Sequence, residues 1–268
     1  MEAAQDVSLV GMILAFAIIF GSLPVFRRLQ LKVARELFVS IARMTVQLTL
    51  VGFYLTVIFK YNNPWVNVGY VLLMLGAANF SLLRSSGMKL ELFSHTLPAL
   101  AIGIFFSLTY YTTLVFSPDP LLDARYLIPV SGMLLGNSMN RSIITMERFY
   151  SAIKKDHEGY ASLVTMGATV QEATMPYVRS AYKAGLSPSL ANMATMGLVF
   201  LPGMMTGQIL GGASPMTAVK YQIAIMLAIF VATEISTLLV IYFSMRKGFD
   251  AYGFLNAGVF KKPVATGV

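Results

Sequence analysis

Read for polarity alone, the chain is a series of long apolar runs separated by short polar connections. A helix needs roughly 20 mostly apolar residues to cross a bilayer. Seven stretches qualify: about Val7 to Phe26, Leu37 to Phe59, Trp65 to Leu83, Leu97 to Phe116, Tyr126 to Ile144, Leu190 to Leu210 and Ala218 to Phe243. None alternates polar with apolar positions as a barrel strand would. The pattern predicts an all-α, polytopic membrane protein with seven transmembrane helices, built as a single transmembrane domain over residues 1–268. Glu2 and Asp6 precede the first run and no basic residue does. That is unlike a secretory signal, so the run is expected to stay as structure.

Lysine and arginine then orient the spans, because cytoplasmic loops carry the excess. Arg27, Arg28, Lys32 and Arg35 follow the first span, and Arg84 and Lys89 the third. Arg141, Arg148, Lys154, Lys155, Arg179 and Lys183 follow the fifth, and Arg246, Lys247, Lys261 and Lys262 the last. The opposite side holds only Lys60, Arg125 and Lys220. An even span count would scramble this asymmetry. The expectation is an N-terminus outside, a C-terminus in the cytoplasm, and a place in the cell inner (plasma) membrane.

Composition narrows the function. The chain of 268 residues is 56% hydrophobic and 12% charged, with a mean hydropathy of +0.69. A soluble domain carries about a quarter charged residues, so a soluble enzyme and a disordered chain are both excluded. The net charge of +8 reports loop bias, so no nucleic-acid partner is expected. With no cysteine there is neither disulfide nor thiolate chemistry. There is no G-x-x-x-x-G-K-[ST] loop, H-E-x-x-H or G-x-S-x-G, and so no catalytic residue and no nucleotide site in this chain.

Polar groups within spans are costly and mark pathways or buried partners. Glu234 is the one acid deep in a span; Arg43 and Gln47 share a face of the second, Asn137 and Asn140 sit on the fifth, and Gln208 follows Met204 by four on the sixth. These are the substrate-pathway candidates. Arg43 can alternatively snorkel to the interface, and Glu234 can be a buried structural partner. Gly203, Gly207 and Gly211 form a G-x-x-x-G-x-x-x-G row, which lets helix backbones approach for static packing, a dimer seam or a moving gate. The 17 methionines could offer soft ligands, but thioethers also fill cores. No cluster assigns a metal.

The segment from about Thr145 to Leu186 is the only sizeable cytoplasmic piece. Met146, Phe149, Tyr150 and Ile153 recur at i, i+3, i+4 and i+7, so the fifth helix should continue beyond the membrane. A short run from Ala161 to Met166 ends at Gly167-Ala168. Thr169 and Glu172 then form a capping box for a helix expected to kink at Pro176 and stop near Gly185, with Ser187-Pro188 starting the sixth span. The segment reads either as an ordinary helical hairpin or as a knob for a motor subunit.

Two stretches carry a family resemblance: Gly132-Met133 with Gly136 to Asn140 and the Glu158 to Ala173 segment, and the run from Leu201 to Ile223 with its Leu-Pro-Gly-Met-Met-Thr-Gly-Gln. They resemble the membrane subunit of the iron-export ABC transporter family, long grouped as uncharacterised bacterial membrane proteins and similar to plant proteins of aluminium tolerance. The resemblance implies a permease that binds no cofactor, pairs with a separate cytoplasmic ATPase that uses ATP, and exports iron or a related metal; seven helices are thin walls for a pathway, so a homodimer is expected. The Glu158 to Ala168 stretch also loosely resembles the coupling loop of ABC importers, with Gly167 at the glycine position and the acid displaced to Glu158; with the hairpin turn and its cap this makes Glu158, Gly167, Ala168, Thr169 and Glu172 the ATPase-coupling candidates. A stand-alone seven-helix ion channel, a receptor, and an ABC exporter of an organic substrate are the competing readings.

Overall fold

Capping chemistry sets most element starts. The computed structural model describes residues 7–30, 33–117 and 120–260, apart from the side chains of Arg27 and Ala257. Glu2, Asp6, Lys32, Lys261 and Lys262, used above for topology, lie outside the described residues, as does the side chain of Arg27. Ser8 accepts from the Gly11 amide and begins α1 (Leu9–Ala17), which passes through a 3₁₀ stretch, Ile18–Ser22, into α2 (Leu23–Arg28). α3 (Ala34–Tyr61) ends at Asn62, whose left-handed backbone (φ 40°) turns the chain straight into α4 (Pro64–Ser85). There Asn63 caps the Trp65 amide at 3.0 Å and Pro64 occupies the first turn. The proline has no N–H to leave unpaired.

α5 (Phe93–Tyr110) widens into a π-helical turn, Tyr111–Phe116. α6 (Ala124–Lys155) is capped by Asp123, and α7 (His157–Thr165) follows one residue later. α8 (Val170–Thr195), α9 (Gly203–Leu210) and α10 (Pro215–Gly248) complete the bundle, the last capped by Ser214 ahead of Pro215. Among the described residues the only β features are isolated bridges. The chain is therefore all-α, and it is a multi-pass membrane protein. Among the described residues, five helical segments are long and apolar enough to cross a bilayer: Leu9–Phe26, Ala34–Tyr61, Pro64–Ser85, Leu90–Phe116 and Pro215–Gly248.

The sixth apolar run differs from expectation. It is not one helix from Leu190 to Leu210. The helix that begins at the Thr169 cap neither stops at Gly185 nor restarts at Ser187-Pro188, but continues to Thr195. Ser187 donates to its own helix, to the Lys183 carbonyl at 2.7 Å, rather than capping forward. Gly185 is buried in a helix crossing, not at a C-cap. A Cβ there would strike Thr145 Oγ1 and lie 3.3 Å from the Arg141 carbonyl. The break comes later, over residues 196–202. Gly197 has φ +84° and donates to the Phe200 carbonyl at 3.0 Å, while Pro202 starts α9. A proline disfavours helix at the residue before it. Irregular backbone at membrane depth survives only where it is buried or lines a cavity. Here a cavity of about 220 Å³ sits at the break, lined by Met196, Pro202, Met205 and Gln222 among others.

α4, α5, α6, α8 and α10 form the packed bundle. α1 buries nothing. α3 buries only Ile58, which packs with Ala124 and Ile128 at its far end. Asn62 and Asn67 fasten that end: Asn62 Oδ1 accepts from the Ala124 amide at 2.9 Å, and Asn67 Nδ2 donates to the Leu122 carbonyl at 2.9 Å.

Candidate transport path and coupling corner

Small hydroxyl residues set the register of the bundle. Ser138 meets Thr233 at 3.5 Å and Ser142 meets Thr237 at 3.4 Å. The pairs are four residues apart on both helices, so α6 and α10 run parallel. On its other side α10 touches α5. Ser107 donates to the Ala228 carbonyl at 2.8 Å, and a Cβ on Gly103 would strike Ser236. In lipid, where apolar contact gives no net drive between helices, small residues and interhelical hydrogen bonds supply the packing. Sequence reasoning had assigned that role to the glycine row of α9. In one chain that row packs against nothing: Gly203 and Gly207 are exposed and no atom lies within 4 Å of a Cβ built on either. Gly211 meets only the carbonyls of its own helix, at 3.2 and 3.5 Å. Extending the search for small residues four apart from glycine to serine and threonine would have found Gly103/Ser107, Ser138/Ser142 and Thr233/Thr237.

The path candidates separate into three groups. Asn137, Asn140 and Arg141 on α6, Tyr182 and Ser189 on α8, and Glu234 on α10 lie near one level. The Ser138–Thr233 register places Glu234 beside Met139, Arg141 Nε donates to Ser189 Oγ at 3.2 Å, and Tyr182 reaches the Glu234 carbonyl at 3.5 Å. Asn137 is half-buried and donates to its own helix at the Met133 carbonyl, 2.9 Å away. Met204 and Gln208 belong to α9, one short turn before Pro215. α9 packs beside the start of α10, where Met205 shares a cavity with Val219, Gln222 and Ile223; Glu234 lies 11 residues beyond Ile223, about 16 Å along the helix axis, so this is a separate site. Gln208 is half-buried and its Oε1 has no hydrogen-bond partner. Arg43 and Gln47 are exposed on α3. Ile58 is the residue of α3 buried against α6, at Ala124 and Ile128; Arg43 lies 15 residues back along α3, about 22 Å, which in this antiparallel pairing is the depth of the middle of α6.

Glu234 is exposed on the bundle surface. A carboxylate at mid-span facing lipid costs about 2.5–3.5 kcal/mol on insertion scales. Such a position is stable facing water or protein rather than hydrocarbon. Sequence reasoning missed three buried amides, Asn67, Asn79 and Gln222. Asn79 accepts from the Thr96 hydroxyl at 2.6 Å and donates to the Phe93 carbonyl at 3.0 Å. With both ends of the amide engaged, it fastens α4 to α5 rather than lining a path.

The α6–α7–α8 segment is a braced corner. Met146, Phe149, Tyr150 and Ile153 are all buried, forming one stripe of α6 under the corner. Asp156 ends α6, and its Oδ2 accepts from the Tyr177 hydroxyl at 2.7 Å. Burial first, then the facing Asp156, pushes the Tyr177 phenol up to about 12. Gly167, with φ +93°, makes the reversal into α8. Thr169 and Glu172 form the capping box: Glu172 Oε2 accepts from the Thr169 hydroxyl and amide at 2.7 and 2.8 Å. Those bonds hold the Glu172 carboxyl below its ordinary range. At the tip Met166 is 85% exposed and Leu163 40%, with Glu158 exposed on the same short helix. Tyr160 is the opposite face, fully buried.

Among the described residues no three His, Asp or Glu side chains group as a metal site. Comparison with known proteins places the chain in context. The pattern of an uncharacterised protein family, UPF0014, matches residues 9–249. A UPF0014 membrane protein of Synechocystis, slr1647, is 35% identical over 78% of this chain and 82% of its own. The protein ALUMINUM SENSITIVE 3 of Arabidopsis thaliana is 32% identical over 84% of this chain and 81% of its own. The probable iron export permease protein FetB of Escherichia coli is 25% identical over 89% and 91%. No solved structure matches.

Proposed function

The chain belongs to the UPF0014 family, and on that premise we propose that it is the membrane permease of an ABC-type exporter, driven by a separate cytoplasmic ATPase. It crosses the inner membrane seven times, N-terminus outside, with the end of α8 from Leu190, the break at 196–202 and α9 together as a broken sixth span. The observation that carries this reading is the braced corner between α7 and α8. It presents Leu163 and Met166 at its tip while its other face is locked to the bundle, as a lever needs packed, stiff elements. The name of the Escherichia coli relative supports export of iron. Exposed Glu234 and the open glycines of α9 support assembly as a homodimer, in which a second chain rather than lipid covers them. The lack of a three-ligand group in the described residues of one chain favours a second reading of the cargo, as a chelate or an organic molecule.

The test is purification of the chain with tagged candidate ATPases, then ATP hydrolysis in lipid with and without iron. A stable complex whose hydrolysis rises with metal is expected. Ion conduction by the chain alone, with no ATPase bound, would establish a stand-alone channel instead. A reporter fused after Phe243 should be cytoplasmic, and an external signal there would overturn the seven-span count.

A further inference from the structure

The described residues after α10, up to Phe260, form a strap that ties the corner to α10. Phe249 packs on Phe149 (centroids 6.4 Å apart) and on Tyr160 (5.7 Å). Asp250 then folds the chain back on itself: its Oδ1 accepts from the amides of Tyr252 and Phe254 at 2.9 and 2.8 Å. At the turn Gly253 has φ +84°, and a Cβ on it would lie 3.2 Å from Val170 and 3.3 Å from Val164. Those two valines come from the first turn of α8 and the last turn of α7, so the turn is seated in the inner angle of the corner. The Tyr160 hydroxyl donates to the Gly253 carbonyl at 2.6 Å. The phenol is pushed up to about 12, by burial first and then by Asp250, and so stays a donor at any working pH. Further on, the Val259 carbonyl accepts from the Lys89 amide at 2.9 Å, fastening the strap to the α4–α5 turn. Lys154 Nζ lies 3.9 Å over the Phe260 ring. The strap thus joins α6, α7, α8, α10 and the α4–α5 turn.

We propose that this strap is the transmission element of the coupling corner, with Tyr160 and Gly253 as its positioning residues. The proposal rests on the reading of the corner as the ATPase dock. A push on the exposed tip of α7 reaches the strap through Tyr160 and passes to the end of α10 at Gly248. Glu234 lies 14 residues further along that helix, about 21 Å away. α8, whose Tyr182 reaches the Glu234 carbonyl, carries the same push, so one input moves both walls of the Glu234 level together.

Tyr160→Phe keeps the buried ring and deletes the bond to Gly253. In the full complex in lipid, ATPase recovery should be unchanged, because Tyr160 faces away from the exposed tip. Substrate moved per ATP should fall about fivefold, the equivalent of one net hydrogen bond. In the chain alone, amide exchange should rise together in residues 160–167 and 249–256, with the middle of α10 unchanged. Gly253→Val, which meets both the positive φ and the two valines, should show the same uncoupling more strongly. Unaltered transport per ATP and unaltered exchange in Tyr160→Phe would overturn the strap. Failure of the docking reading looks different: Gly167→Val would leave ATPase binding intact, while the exchange result on Tyr160→Phe still decides whether corner and strap move as one unit.

Discussion

Gly185 gives a quantitative test of how the bundle is held. Gly to Ala inside a helix ordinarily stabilises by roughly 0.5–1 kcal/mol, since glycine loses more backbone freedom on folding. At Gly185 the new methyl would strike Thr145 Oγ1 and stand 3.3 Å from both the Thr145 Cβ and the Arg141 carbonyl. Thr145 is buried and its hydroxyl is bound to the Arg141 carbonyl at 2.8 Å, so it has nowhere to turn. Forcing a group into a packed site costs about 1–3 kcal/mol. At the middle of both ranges the clash exceeds the helix gain, and Gly185→Ala should be destabilised by about 1 kcal/mol after that gain is subtracted. Gly185→Ala/Thr145→Ala removes the struck oxygen and should recover most of the loss, a coupling of the size neighbouring residues show, about 0.5–3 kcal/mol. The assay is reversible unfolding of the purified chain in mixed micelles for wild type, both single variants and the double. If Gly185→Ala is as stable as wild type, or the double variant is no better than the sum of the singles, α6 and α8 do not cross where described.

Glu234→Gln keeps shape and removes charge; transport should fall at least tenfold while the amount of chain in the membrane is unchanged, and a parallel loss of both would make Glu234 a structural partner. Gly207 is exposed and a Cβ on it has no described atom within 4 Å, so in Gly207→Leu the isolated chain should fold normally and only self-association, read by cross-linking in membranes, should drop; unchanged association would place the α9 glycines against lipid. The Glu172 carboxyl is held low by the Thr169 hydroxyl and then by its amide, so its contribution to the α8 cap is present above the ordinary carboxylate range and is lost as pH falls through the lowered value. A carboxyl titration by NMR should show Glu172 ionising below a free glutamate in wild type and near one in Thr169→Ala; equal midpoints would mean that the capping box does not form in solution.

The sequence by itself determined the local features of this protein, because each is governed by residues close together in the chain. Apolar runs long enough to cross a bilayer made the all-α membrane class unavoidable. Asn63-Pro64, Thr169 with Glu172, and Ser214-Pro215 each satisfy free amides within three residues, so their helix starts were legible. The 146/149/150/153 stripe predicted the extension of α6. Tertiary structure decided whatever depended on a partner far along the chain. Gly185 reads as a helix stop until Thr145, 40 residues earlier, is seen to need the space of its missing side chain. Pro188 looks like a helix start, yet the packing of α8 on α6 carries the helix through it. The α9 glycines fit the pattern of a packed seam, but the seam of the bundle is built from Ser107, Ser138, Ser142, Thr233 and Thr237; their four-residue spacing is visible in the chain, but which of them face one another across 95 or more residues is not. The tail read only as a basic terminus, because the carbonyl of Gly253 acquires its meaning from the hydroxyl of Tyr160, 93 positions away.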